Sequence, residues 1–345
     1  MGAVHMVRKK HSDPSQLGSF KKTNSFSSPV ASSSERASDP GTPRSGNVPT
    51  RRSTTTTGLF ALKSIQLARM SEEFILELKN EIDILKSLDH PNIVKPTEVF
   101  HRKRQINVVM ELCAGGDLYT RDPYTETQAA SITGQVLSAI SYMHSRNITH
   151  RDLKFENIMF ENTSPDAAIK VIDFGLSKKY CPDSPHLIEG VGTIYTMAPQ
   201  VLRGFYTSQA DLWSMGVIAF MLLCGEQPFT GRKRRHVIDK IMRCQYGFGA
   251  QRWKTLSKES KDFVEHLIEM NPKTRWNADQ ALTSPWMTKV YTADERAADP
   301  AVLAGAATSL KKFGEHGHLA KMALMVIAHQ STTEEVLELR KVFDQ

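Results

Sequence analysis

The sequence predicts an α+β fold of two unequal lobes, a small strand-rich one followed by a large helical one. Short strand-like runs fall between positions 59 and 112, and helical periodicity dominates from Thr125 onward. A Gly115-Gly116 break separates the two regions. With 345 residues, 40% of them hydrophobic, the chain is long enough for one large two-lobed domain with a sizeable core and tails besides.

In chain order, residues 1–57 are expected to be a disordered Ser/Thr/Pro-rich tail, too poor in periodic apolar residues to offset its ordering entropy. Structure is expected from Gly58, with Leu59 to Ile65 as a strand. Ser71 to Leu88 reads as an amphipathic helix with Phe74, Leu78, Ile82 and Leu85 on one face, and Pro91 helps to end it. Strands are predicted near Ile93 to Phe100 and Ile106 to Leu112. The small lobe thus spans 58–114 and the large one 115–287. In the large lobe Ile132, Val136, Ile140 and Met143 stripe a long helix ending near Asn147, and Asp211 to Cys224 is apolar enough to be buried. Further helices are predicted over Val237 to Met242, Lys258 to Met270 and Ala278 to Leu282. A linker over 288–309 and a C-terminal segment over 310–345 complete the division.

Composition excludes several classes. The 44 Lys and Arg against 37 Asp and Glu give a net charge of +7, partly carried in tails such as Arg8-Lys9-Lys10 and Arg51-Arg52. No basic stripe interleaved with aromatics points to nucleic acid. The four cysteines have neither metal-ligand nor disulfide-framework spacing. The longest apolar run, Gly216 to Cys224, is too short for a transmembrane segment, and the first ten residues lack a secretory pattern. A reduced, cytoplasmic location with access to the nucleus is expected. Met1-Gly2 is followed by Met6 where a myristoylation signal wants Ser or Thr, so an unmodified terminus is expected.

The chemistry sits in two short motifs. His150-Arg151-Asp152 is followed by Asn157, and Asp173-Phe174-Gly175 lies 21 residues after Asp152, behind apolar Val171-Ile172. Phosphoryl transfer needs a carboxylate to orient the acceptor, oxygen ligands for a metal ion, and cations on the phosphates. Asp152 fits the first need, and Asn157 and Asp173 the second. An isolated Asp in a loop usually caps a turn. The order and spacing of the pair, with Val191-Gly192-Thr193 and Ala198-Pro199 behind it, favour the catalytic reading. Glu81 lies on the apolar face of its helix, where a carboxylate needs a partner, and Lys63 on the preceding strand supplies one. The plain alternative is a glutamate in water at the rim.

Residues 58–287 resemble a eukaryotic protein kinase of the calcium/calmodulin-regulated group. The resemblance rests on Ala61-Leu62-Lys63, Glu81, His90-Pro91-Asn92-Ile93-Val94, Met110-Glu111-Leu112, both catalytic motifs, Asp211 to Val217, and Arg275. It implies a bilobal kinase fold that uses ATP and magnesium (Mg2+) on serine or threonine of protein substrates. By resemblance, Ala61, Met110, Glu111, Cys113 and Asp117 lie at the nucleotide, with Lys63 on its phosphates. Lys154 marks the serine/threonine branch, and Asp211 braces the catalytic-loop backbone. Asp117 and Glu156 match positions that attract basic residues upstream of the phosphosite, against an even alternative of solvated charge. Glu189, four residues before Thr193, stands where many kinases carry an activating phosphothreonine, and could pair with Arg151 with one charge instead of nearly two.

The pattern breaks in places. A glycine-rich phosphate lid is poorly supported: Gly41, Gly46 and Val48 fall in place, but Pro43 takes the middle glycine. A small lobe lacking two strands is expected to leave a sheet edge open. Gln200 follows Pro199 where a glutamate normally pairs with the arginine matched by Arg275, and Phe155 replaces the usual proline of the catalytic loop. Losing a partner from a buried pair costs about 3–5 kcal/mol, reduced here by the hydrogen bond that Gln retains.

Residues 310–328 form a basic amphipathic stretch that resembles the autoinhibitory junction of calcium-dependent protein kinases and could bind calmodulin. Thr333 to Asp344 resembles the entering helix of a calcium-binding hand, but no calcium loop motif occurs in the sequence. Two readings follow: an active kinase held down by its C-terminal helix, or a catalytically impaired kinase-shaped scaffold.

Overall fold

The computed structural model describes residues 3–9, 20–22, 59–67, 70–102 and 104–289. The chain divides into two units, 1–282 and 283–345.

In the first unit, strands β1 (Ala3–Lys9), β2 (Phe20–Lys22) and β3 (Leu59–Gln66) precede helix α1 (Glu72–Ser87). Strands β4 (Pro96–Arg102) and β5 (Gln105–Glu111) follow it. All five strands form one antiparallel sheet in the order β2-β1-β3-β5-β4. Two expectations are corrected here. The tail expected to be disordered over 1–57 contributes β1 and β2, and the small lobe expected to lack two strands has five. The physical reason is the free edge of β3, whose unpaired N–H and C=O groups are a template for another strand. Strand β1 takes that edge from Ala3 opposite Ser64 to Arg8 opposite Leu59, and Val7 is fully buried there. Residues 10–19 and 23–58 lie outside the described residues, and with them Gly41, Pro43, Gly46 and Val48.

Residues directly opposed in an antiparallel pair share a face. Ala61, Lys63 and Ile65 of β3 therefore share one with Met110, Val108 and Ile106 of β5. Ile65, Ile106 and Val108 pack there with Leu78 and Ile82 of α1, so Lys63 stands among apolar neighbours and turned toward that helix. Leu78, Ile82 and Leu85 are buried at the helical spacing read from the sequence, whereas the Phe74 side chain lies outside the described residues.

The helical lobe starts with α2 (Glu126–Ser145), where Thr125 and Gln128 form a reciprocal capping box. Its predicted stripe, Ile132, Val136, Ile140 and Met143, is buried. Four short strands follow: β6 (Ile148–Thr149), β7 (Ile158–Phe160), β8 (Ile169–Val171) and β9 (Lys178–Lys179). They pair as two ladders, β6–β9 and β7–β8, and the 150–157 and 172–177 turns each connect one ladder to the other. Helix α3 (Pro199–Leu202) leads to α4 (Gln209–Cys224), buried from Ala210 to Cys224 and closed by Gly225 at φ +77°. Helices α5 (Arg234–Met242), α6 (Lys258–Leu267) and α7 (Ala278–Leu282) complete the lobe, with α4 packed on α2 and α6. Among the described residues no helix is long and apolar enough to cross a membrane.

The second unit is described over 283–289, where the Thr288 N–H and hydroxyl both donate to the Ser284 carbonyl, at 3.0 and 2.9 Å. The autoinhibitory-like stretch 310–328 and the helix expected over 333–344 lie outside the described residues.

Candidate active site

Lys63 gathers the first cluster. Its Nζ donates to Glu81 Oε1 at 2.7 Å and lies 3.4 Å from Asp173 Oδ1, joining β3, α1 and the turn after β8. Burial disfavours the Lys63 charge, but the Glu81 and Asp173 carboxylates overcome this and hold the ammonium above its ordinary pKa. Burial likewise works against the Asp173 carboxylate, and Lys63 with the Gly175 N–H holds its pKa below the usual range. Both groups stay charged at neutral pH.

The catalytic-loop motif forms the second cluster. The Asp152 Oδ1 accepts from the Thr193 hydroxyl at 2.7 Å, and Oδ2 accepts from Lys154 Nζ at 2.7 Å and Asn157 Nδ2 at 3.2 Å. Lys154 also donates to the Thr193 hydroxyl at 2.9 Å. Asn157 spends its amide N–H groups on Asp152, including the backbone carbonyl at 2.8 Å, so its Oδ1 remains as an acceptor. Asn157 Oδ1 and the half-exposed Asp173 carboxylate are hard oxygen donors. That donor set fits a magnesium ion, which takes few protein ligands and completes its shell with phosphate oxygens and water. Among the described residues no cluster of three or more acidic, His or Cys side chains could hold a metal unaided.

Two residues of these motifs have left-handed backbone, Arg151 at φ 70° and Asp173 at φ 58°. Such conformations cost about 1–3 kcal/mol each and persist only where neighbours over-determine them. Asp211 does this for the loop. It is 1% exposed and accepts from the backbone N–H of His150 at 2.9 Å and of Arg151 at 3.0 Å, with His144 Nε2 at 2.9 Å. Burial pushes the Asp211 carboxyl up, yet His144, His150 and the loop amide keep its pKa below the ordinary value. His150 accepts the Asp152 N–H at Nδ1 (3.3 Å), which leaves Nε2–H to donate to the Ile172 carbonyl at 3.1 Å.

The Arg151 guanidinium faces the activation segment. It donates to Glu189 Oε2 at 3.1 Å, and Lys178 pairs with the other carboxylate oxygen. Tyr206 donates to the Glu189 carbonyl at 2.8 Å. Burial alone would raise the Glu189 pKa, but Lys178 and Arg151 hold it below the usual range. Lys178, Tyr206 and the Thr193 bridge were not singled out from the sequence. Lys178 could have been found from its closeness to Asp173-Phe174-Gly175, while nothing local marks Tyr206.

Other predicted positions are placed as follows. The Met110 side chain packs against the β3–α1 core, and Cys113 is half-buried with its thiol pushed up to about 12 by burial and by Glu111. The Cys113 backbone N–H and carbonyl have no partner among the described residues. The Glu111 side chain accepts the Lys95 N–H at 2.7 Å and pairs with Lys170 at 3.0 Å. Asp117 accepts from Thr120 at 3.0 Å, and exposed Glu156 accepts from the Tyr195 hydroxyl at 2.7 Å, so neither is simply solvated. Phe155 is buried with its ring 5.0 Å from that of Tyr119. Gln200 Oε1 accepts from Arg275 at 3.2 Å while its Nε2 donates to the Met270 carbonyl at 2.5 Å. Arg275 is 2% exposed and otherwise bonded to the Glu269 and Gln209 carbonyls, and burial draws its pKa down to about 10.

A strand-borne lysine paired to a helix glutamate, above a braced catalytic loop, defines a protein kinase, and the protein kinase domain profile matches residues 37–287. The chain belongs to that family. Among curated relatives, it is 36% identical over 276 residues to Calcium-dependent protein kinase 3 of Plasmodium berghei (strain Anka), covering 78% of this chain and 49% of that protein. It is 34% identical over 303 residues to Calcium-dependent protein kinase 5 of Plasmodium falciparum (isolate 3D7), covering 87% and 53%. To Calcium-dependent protein kinase 27 of Oryza sativa subsp. japonica it is 35% identical over 292 residues, covering 83% and 47%. The chain spans about half the length of the curated relatives it matches.

Proposed function

We propose that this chain transfers the γ-phosphoryl group of ATP to serine or threonine hydroxyls of protein substrates, with magnesium as the ion. The observation that carries this is Lys63, within 2.7 Å of Glu81 and 3.4 Å of Asp173 at once. Both the lysine–glutamate pair and the metal-binding aspartate have to be in place for transfer. Lys63 holds the phosphates, and the free backbone groups of Cys113 receive the purine edge. Asp152 orients the substrate hydroxyl and takes its proton as the oxygen bonds to phosphorus and the bond to the ADP oxygen breaks. Lys154 neutralises charge beside it. Asn157 and Asp173 would hold the magnesium, which would shield the phosphate charge. Glu189 stands in for a phosphate on Arg151 and keeps the activation segment ordered.

A thermal-shift titration with ATP and magnesium, run beside a peptide phosphorylation assay on wild type and Asp152→Asn, tests the reading. Stabilisation by ATP with magnesium, and phosphorylation that Asp152→Asn abolishes, are expected. No shift and no Asp152-dependent phosphorylation would leave the impaired scaffold instead.

Regulation by residues 310–328 belongs to the same proposal, supported by their resemblance to an autoinhibitory junction and by their basic amphipathic pattern, which suits calmodulin. Removing residues 306–345 is expected to raise the phosphorylation rate, and an unchanged rate counts against autoinhibition. We also propose basic residues upstream of the phosphosite, facing Asp117 and Glu156, and a cytoplasmic location with access to the nucleus.

A further inference from the structure

Five consecutive residues at the start of α5, Arg232, Lys233, Arg234, Arg235 and His236, are all exposed. Four of them are permanent cations, set where the helix macrodipole is itself positive, so each opposes the helix it begins. The first turn of α5 holds no acidic residue to offset them. Asp239, the i+4 neighbour of Arg235, is taken instead by Arg243 at 3.0 Å. Among the described residues, none of the run makes an ion pair, and its one side-chain hydrogen bond is internal, Arg235 Nε to His236 Nε2 at 3.5 Å. A local rule broken without local compensation points to a partner.

The run is also held in place. A Cβ on Gly231 would lie 2.8 Å from the His236 Cβ, so the chain before the helix is folded tightly onto its first turn. Val237 and Ile238 are half-buried and Ile241 is buried, anchoring α5 against Ile194–Thr196. That segment directly follows Thr193, whose hydroxyl bonds Asp152. The cations are thus fixed on the helix that supports the segment beside the catalytic carboxylate.

We propose that the Arg232–His236 surface docks an acidic segment of the protein substrate, away from the hydroxyl that meets Asp152. This rests on the kinase reading. Charge complementarity selects the occupant. A single-stranded nucleic-acid surface stacks bases on Phe, Tyr or Trp among its cations, and positions 230–236 hold none of these. A membrane surface wants exposed apolar residues beside them, and those of α5 turn inward.

The test uses the full chain and two fluorescein-labelled peptides. They share one arginine-preceded serine and a flexible Gly-Ser spacer, and end in either a glutamate block or a Ser-Gly block. Anisotropy is expected to show the glutamate peptide binding about tenfold tighter at low salt, the advantage shrinking as salt rises. Arg232→Glu with Arg234→Glu and Arg235→Glu is expected to erase that advantage, raising KM for the glutamate peptide with kcat unchanged. Reversing exposed Lys254, Lys258 and Lys273 together is expected to leave it intact. Equal binding of the two peptides overturns the proposal, as does a preference that survives the first triple variant or is lost equally in the second. It is likewise overturned if anionic vesicles bind as tightly through the same three arginines. Binding through this surface with neither peptide phosphorylated would sink the catalytic reading and leave the docking surface standing.

Discussion

Arg151 is held at two ends by two carboxylates in very different settings. Asp211 takes its backbone N–H and is 1% exposed, while Glu189 takes its guanidinium with a side chain 38% exposed. Asp211 serves two backbone amides fixed by the loop and the His144 ring, whose side chain is 15% exposed. Glu189 is itself partly solvated and serves Lys178, whose side chain is 44% exposed, and Arg151, whose side chain is 10% exposed. The same charge is therefore a structural brace in one place and an adjustable latch in the other. Burial of the carboxylate, rather than its chemistry, makes the difference.

Substitutions test that contrast, and the largest effect belongs to the brace. Asp211→Ala strands the His150 and Arg151 amides and releases a left-handed Arg151 backbone. A loss of about 3–5 kcal/mol is expected, read as a melting temperature lower by roughly ten degrees and as lost phosphorylation. A fall of under about two degrees would show that the brace is not structural. Next comes Lys63→Met, which leaves Glu81 and Asp173 without their cation. It is expected to cut kcat by about 100-fold, with the melting temperature moving less than in Asp211→Ala. An unchanged kcat there would dissociate the ion pair from catalysis.

The latch should give less. Glu189→Ala is expected to slow phosphorylation about tenfold while costing under about 1 kcal/mol of stability, because the pair is partly solvated. Full activity in that variant would remove Glu189 as a stand-in for a phosphate. Its pH dependence has a definite sign. The folded pKa of Glu189 is depressed, so its contribution is complete above the unfolded value of about 4.3 and fades only as pH falls through the lower folded value. The wild-type to Glu189→Ala activity ratio should stay flat between about pH 6 and 8. A ratio that drifts within that window means another group controls the segment. The smallest effect concerns a third buried partner. Gln200→Glu gives Arg275 a countercharge but removes the donor to the Met270 carbonyl, so a gain of about 1 kcal/mol is expected by thermal denaturation. Destabilisation would mean that the Met270 contact outweighs the charge.

Much of the site was readable along the chain because its parts are local. Asp152, Lys154 and Asn157 lie within six residues, and their mutual hydrogen bonds follow from one turn. Glu81 could be paired with Lys63 because helical spacing put a carboxylate on an apolar face, and the partners meet at 2.7 Å. Lys178 and Tyr206 were not legible, since their meeting with Glu189 depends on how β9 and the segment before α4 are placed. The contact of Glu156 with Tyr195, 39 residues away, was hidden for the same reason, whereas that of Asp117 with Thr120 is local. The sheet was misjudged at its edge. Residues 3–9 carry too short an apolar alternation to be read as a strand, and only the unpaired edge of β3 makes one of them.

The catalytic loop with which the chemistry began was determined by sequence alone, down to which residues carry carboxylate, amide and ammonium. Residue type and short-range spacing suffice when the groups that must meet are close in the chain. Tertiary structure alone decided what holds that loop in its left-handed turn, what latches Arg151, and which strand covers β3. Those partners are separated by 60 residues for Arg151 and Asp211, and 38 for Arg151 and Glu189. No periodicity spans such distances; only the packing of one element on another brings the groups together.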